Sequence, residues 1–207
     1  MAKTLYGAII AVSEAIIEAE PVLTELDSAL GDGDCGMGLK TGFSEVIKTL
    51  QGAEGDSAQD LLKKIAKTLI ASIGGTSGAI YGTAFMRMAA MCGKVDTGTV
   101  EGVSQVLIAG LEGAKMRGED TKIGDKTMID AYEPAVYAFK EAREAGKSVG
   151  EACTAAVAAA QAGSDSTIDM IAKKGRASYL GERSKGHRDA GSYGIVVICK
   201  ALEAYYA

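Results

Sequence analysis

The sequence predicts an all-α protein, a bundle of about eight antiparallel helices. Three observations carry that prediction. Alanine recurs on every long segment together with Leu, Ile, Lys and Glu, a mixture that favours helix. Strand-favouring aromatics are scarce, with no Trp and only 3 Phe in 207 residues. Glycine-rich stretches separate the apolar segments.

The elements follow in order. Residues 4–20 read as a first helix, ended by Pro21. PVLTELDSAL (21–30) makes a short second run, with Pro at an allowed first-turn position. After GDGDCG, residues 37–51 read as helix, with Leu39, Phe43, Val46, Ile47 and Leu50 on one face. GAEGDSA is a loop, and 58–73 is amphipathic through Leu61, Leu62, Ile65, Leu69 and Ile73. GGTSG (74–78) breaks the chain, and 79–92, apolar almost all round, reads as a buried helix. Residues 98–117 form a further helix, 116–127 a loop, and 127–145 a helix that Pro134 must either kink or enter near its start. Residues 148–173 are the most Ala-rich helix, 173–194 a long polar loop, and 194–206 a closing helix, although GIVVIC alone also suits a strand.

Short connections imply antiparallel neighbours. No linker or shift in composition divides the chain, so residues 1–207 read as one domain. In an up-and-down arrangement every second loop lies at the same end. Loops 31–36, 74–78, 116–126 and 175–193 hold most of the Gly, Asp, Thr, Ser and Arg, and a rigid scaffold carries its site on such loops.

Charge and cysteine usage narrow the functional classes. With 27 acidic and 22 basic residues the net charge is −5, which gives no attraction to nucleic acid or an anionic membrane. Cys35, Cys92, Cys153 and Cys199 are far apart and form no CxxC pair, so reduced structural thiols are expected rather than a zinc site. The apolar N-terminal run is broken by Ser13, Glu14 and Glu18, which suits an amphipathic helix better than a signal peptide. No apolar stretch approaches the ~18 residues of a membrane span. A cytoplasmic protein is expected.

The most informative stretch is ALGDGDCGMG (29–38). It satisfies Gly31-x-Gly33-x-x-Gly36, a dinucleotide-binding pattern, yet two variable positions are Asp32 and Asp34. A phosphate cradle does not present bare carboxylates to its phosphates, and LTELDSAL does not look like the strand that a βαβ unit needs. The EF-hand and P-loop patterns fail as well. Asp27 in the last turn of a helix, with Asp32 and Asp34 on the loop, can be gathered by a tight turn. Gathered carboxylates repel unless a cation sits between them, and hard oxygen ligands suit Mg2+ or Ca2+. A metal-bridged phosphate site fits, with N–H groups from Gly36 and its neighbours at a helix start. On this loop alone, a solvated Asp/Gly turn without ligand fits as well.

The other loops are compatible with that chemistry. Thr76 and Ser77 can cap a helix and can donate to a phosphate. The stretch 175–191 carries Arg176, Arg183 and Arg188 among four glycines, which suits either a phosphate-closing flap or a solvated loop. His187 is the only histidine, so a general base from this chain would be this residue or an Asp. Met128 can pack on a nucleotide base or in the core.

Four motifs in this order, LDSALGDGDCGMG, IGGTSGAIYGTAF, GDKTMIDAYEPA and GRASYLGERSKGHRDAG, closely resemble the L subunit (DhaL) family of dihydroxyacetone kinases over essentially the whole chain. The resemblance implies a barrel of eight antiparallel helices with the nucleotide at one end. It implies two Mg2+ ions held by Asp27, Asp32 and Asp34, with Arg176 as a further catalytic residue. Cys35, Gly36, Met37 and Gly38 match the segment whose backbone meets the phosphates, and Thr76 and Ser77 match phosphate donors. Gly118 and Met128 match nucleotide-pocket positions, and Arg176, Asp189, Ala190 and Gly191 match a closing flap.

The implied reaction takes a phosphoryl group from Mg·nucleotide (ADP/ATP) to dihydroxyacetone held on a separate K subunit. In some systems a phosphotransferase-system M subunit recharges bound ADP. A homodimer is implied as well. Two departures lean towards exchangeable ATP: Cys35 stands where phosphoprotein-dependent subunits carry His, and Ala190 stands where Pro is usual, which would loosen the flap. The rival readings are a regulatory nucleotide-binding scaffold, a kinase subunit for another small ketose, and the nucleotide domain of a fatty-acid kinase.

Overall fold

The computed structural model describes residues 3–207; residues 1 and 2, part of the expected domain, lie outside the described residues. Local chemistry sets the helix starts. Thr4 accepts from the Gly7 N–H at 3.0 Å and opens α1 (Leu5–Glu18), whose inner face buries Ala8, Ile9, Val12 and Ile16. α2 (Glu20–Ser28) follows at once, with Pro21 in its first turn where a missing N–H loses no intrahelical bond. α3 (Cys35–Thr49) buries Leu39, Phe43 and Val46 at the predicted spacing. Ser57 caps α4 (Ala58–Ser72), which buries Leu61, Leu62, Ile65 and Leu69.

α5 departs from the prediction. It runs Gly75–Cys92, so most of the expected 74–78 loop is its first turn, and the cap position falls to Gly74 with no side-chain bond. Thr76 and Ser77 are therefore not caps. Nor is α5 buried all round: Met86 is exposed, as are Arg87 and Ala90. Thr99 caps α6 (Val100–Arg117), and α7 spans Ile129–Glu144. Pro134 is the sixth residue of α7 and leaves the Asp130 carbonyl without its helical donor. α8 (Val149–Ser166) opens with a Ser148–Glu151 capping box and crosses close to that carbonyl. A Cβ on Gly163 would stand 2.0 Å from the Asp130 oxygen, so only glycine allows the approach.

α8 stops earlier than predicted, in a 3-10 turn at Thr167–Asp169. The polar stretch after it contains a 3-10 segment, Arg176–Ser184, bent at Gly181. α9 (Ala190–Tyr206) starts four residues before the expected 194, and GIVVIC is helical. No strand occurs among the described residues.

The helices close a ring. α1 packs on α3, and α3 through α9 each pack on the next in order. α9 then returns to α1, while α2 packs on α3 and α9 beside the ring. The interior holds Leu23, Phe43, Ile65, Leu69, Leu111, Ile129 and Val196, each 2% exposed or less. Fully burying a side chain of this size contributes about 1.5–3 kcal/mol. Alternate connections, 29–34, 73–74, 118–128 and 167–189, meet at one end of the ring, as the alternation of loops predicted.

Candidate functional site

The acidic loop is built from the end of α2 and the start of α3. The Gly31 N–H turns back to the Asp27 carbonyl at 2.6 Å, and the Cys35 N–H donates to the Asp27 carboxylate at 3.2 Å. Asp27 is thereby fixed against the N-terminus of α3. Asp34 occupies the α3 cap position but makes no side-chain cap bond. One oxygen from each of Asp27, Asp32 and Asp34 can lie within 4.8 Å of the others. Desolvation raises the Asp34 pKa, the charges of Asp32 and Asp27 raise it further, and the Arg176 guanidinium opposes them. Arg176 forms an ion pair with Asp32. A set of three carboxylates with open geometry suits a hard divalent cation such as Mg2+.

This cluster sits on the rim of a cavity of about 620 Å3 in the looped end of the ring. That volume lies in the ordinary range for a small-molecule site. Thr76 and Ser77 on the first turn of α5 form one wall, Gly118 and Met128 another, and Arg176 reaches in from the 3-10 segment. Asp189, Ala190 and Gly191 also line it, as does Cys35. Gly36, Met37 and Gly38 do not line it. Gly36 packs where a Cβ would meet the Glu20 carbonyl at 2.4 Å, Met37 is exposed, and the Gly38 N–H bonds to the Asp34 carbonyl at 2.9 Å.

The Arg-rich flap is narrower than the sequence suggests. Arg183 is exposed and does not line the cavity, whereas Arg188 pairs with Asp165 and lies 5.4 Å over the Tyr193 ring. His187 is exposed and does not line the cavity. Asp189 is not part of a loose flap: it caps α9, accepting from the Ser192 N–H at 2.6 Å, and Ala190 is the buried first residue of that helix. Ala190 thus stands at the first helical position, where proline would be pre-organised by its fixed φ. Burial pushes the Asp189 carboxyl up to about 7 against the opposing Lys126 charge. Burial, with the nearby Asp27, Asp189 and Asp34 charges, likewise pushes the Cys35 thiol up to about 12, which favours its neutral form.

Three residues escaped the sequence reading. Lys126 is 2% exposed, stands at φ 61°, and donates to the carbonyls of Thr167 and His187 at 2.5 Å each. Burial lowers its pKa, and Asp189, Asp169 and Asp130 oppose the fall. Asp130 accepts from the Gly124 N–H at 2.5 Å and the Thr127 N–H at 2.7 Å, shaping the loop that carries Lys126. Tyr81 lines the cavity with a buried hydroxyl that has no protein partner. The Thr-x-x-Asp spacing of 127–130 was a readable helix-start signal; nothing local marks a buried lysine or tyrosine hydroxyl.

Residues 29–204 match the DAK2 domain family. The PEP-dependent dihydroxyacetone kinase 1, ADP-binding subunit DhaL of Listeria innocua is 40% identical over 191 residues, covering 91% of this chain and 89% of that protein. The chain belongs to the DhaL family of dihydroxyacetone kinase subunits. Members of this family are components of a phosphotransferase with an alcohol acceptor. The Escherichia coli PEP-dependent dihydroxyacetone kinase, ADP-binding subunit DhaL is 39% identical over 180 residues, 87% of this chain and 85% of that one. The dihydroxyacetone kinase of C. freundii, solved in complex with AMP-PNP and Mg2+, superposes with a TM-score of 0.75 at 26% identity. The match covers 97% of this chain and 33% of that longer protein. The DhaL-type helical barrel is thus the fold of this chain.

Proposed function

We propose that this chain is a single nucleotide-binding domain that delivers a phosphoryl group to dihydroxyacetone held on a separate K subunit. The observation that carries this reading is the convergence of Asp27, Asp32 and Asp34 on the rim of the cavity. These carboxylates would hold Mg2+, two ions in the fullest case, against the phosphates of ADP or ATP. Bound there, the metal supplies charge neutralisation. The chain's own residues do the positioning that phosphoryl transfer chiefly requires. The N-terminus of α3, which reaches the cavity at Cys35, favours anionic oxygens through its helix dipole. Thr76 and Ser77 offer hydroxyl donors, Gly118 and Met128 a place for the base, and Arg176 an exposed positive charge over the transferring group.

The two bacterial relatives are named as PEP-dependent, ADP-binding subunits, which supports a retained ADP recharged by a phosphoprotein such as an M subunit. Cys35 and Ala190, the two departures from the family pattern, favour free exchange instead. The test is the nucleotide content of freshly purified protein, followed by exchange with labelled ATP. Retained ADP that does not exchange supports the recharged-cofactor form. Rapid exchange with transfer to dihydroxyacetone in the presence of a K subunit assigns ATP as donor. Protein that binds no Mg·nucleotide overturns the reading.

A further inference from the structure

The segment carrying Arg176 leaves the barrel after Thr167 and rejoins it at Asp189. Its neck is closed by the Gly186 N–H on the Ile168 carbonyl at 2.8 Å and the Asp189 N–H on the Thr167 hydroxyl at 3.0 Å. A single ammonium spans the same neck: Lys126 Nζ donates to Thr167 O on the outgoing strand of chain and to His187 O on the returning one. Its backbone stands in the left-handed region, a conformation that costs a non-glycine residue about 1 kcal/mol or more and persists where the surroundings impose it. Beyond the neck, Gly175 and Gly181 have positive φ, and a Cβ on either would meet nothing within 4 Å. Their glycines serve backbone freedom, not packing. The segment is therefore tied at its neck, with a 3-10 turn bent at Gly181 beyond it, and Arg176 opens that turn.

We propose that Lys126 is a positioning residue for phosphoryl transfer: by pinning both ends of the flap it delivers Arg176 over Asp32 and the nucleotide phosphates. The proposal rests on the functional reading above. Lys126 sits on the same 118–128 loop that supplies Gly118 and Met128, so one side chain links the wall of the nucleotide pocket to the flap that closes it.

Lys126→Met keeps the length and removes the charge and donors. Release of a fluorescent ADP analogue in Mg2+ is expected to be about tenfold faster in this variant, the scale of a lost charge-assisted hydrogen bond. Arg176→Ala should also speed release. The double variant should release no faster than the faster single one, because both act through one contact. Unchanged release from Lys126→Met, or effects that multiply in the double variant, would overturn the proposal. Hydrogen exchange on the wild-type protein needs no variant to fold: the Gly186 and Asp189 amides should exchange slowly and residues 175–181 fast in the free protein. Neck amides exchanging as fast as residues 175–181 would overturn it. Wild-type protein that binds no Mg·ADP would fail the functional reading, while faster exchange of these neck amides in Lys126→Met than in the wild type still decides whether Lys126 pins the flap.

Discussion

Three carboxylates within 4.8 Å repel one another, and each residue of the cluster is explained by what offsets that repulsion. Asp27 is held by a backbone N–H, Asp32 by Arg176, and Asp34 carries the raised pKa. Asp32→Asn should weaken Mg·ADP binding by roughly 10- to 100-fold, as for loss of a charge-assisted contact. Its helical circular dichroism should be unchanged, because Asp32 is exposed. Calorimetric titration checks this, and wild-type affinity in the variant would remove Asp32 from the metal site. Asp189 sets a pH dependence. Burial holds its carboxyl at about 7 in the folded protein, against 3.8 ordinarily, so the fold binds this proton more tightly than the unfolded chain does. Its contribution is fully present below the ordinary value and is lost as pH rises through about 7. Asp189→Asn keeps an N-cap acceptor and removes the titration. The metal-free wild type should lose more melting temperature between about pH 5 and about pH 8 than this variant. Parallel profiles would contradict the assignment.

At the scale of elements, close helix crossings decide which glycines matter. Gly36 lies where α3 meets α2, and a Cβ there would stand 2.3 Å from the Thr24 hydroxyl and 2.4 Å from the Glu20 carbonyl. Gly36→Ala should destabilise by about 1–3 kcal/mol through overpacking. Gly38→Ala meets only Ile73 Cγ2 at 3.6 Å and should be neutral or slightly stabilising, since alanine is the better helix former. Equal melting temperatures for the two variants would contradict this account of the crossing. The apolar faces of α3 and α4 were legible because Leu39, Phe43 and Val46, or Leu61, Ile65 and Leu69, repeat at the helical period. The start of α5 was not legible: GGTSG has the propensity of a loop, and of its glycines only Gly78 packs closely, against the Ile73 carbonyl. Asp27, Asp32 and Asp34 were legible as a group because a short turn joins them. Lys126 was not, because its acceptors lie 41 and 61 residues away in the chain.

For the whole molecule, ring closure is what turns scattered loops into a site. Four alternate connections reach one end only because α9 returns to α1. A ligand in that cavity contacts all four, so Mg·ADP should protect residues 175–181 from proteolysis and raise the melting temperature. A ligand at about 100 times its Kd adds about 2.7 kcal/mol to stability. Equal cleavage with and without nucleotide would separate the flap from the site. The central claim, that the acidic rim holds a metal-bridged nucleotide, is tested most directly by calorimetric titration of ADP into nucleotide-free protein, first with Mg2+ and then with a chelator. The account predicts binding with Mg2+ and loss of nearly all of it in the chelator, because phosphates and three carboxylates then repel. ADP affinity that is the same in both would contradict it.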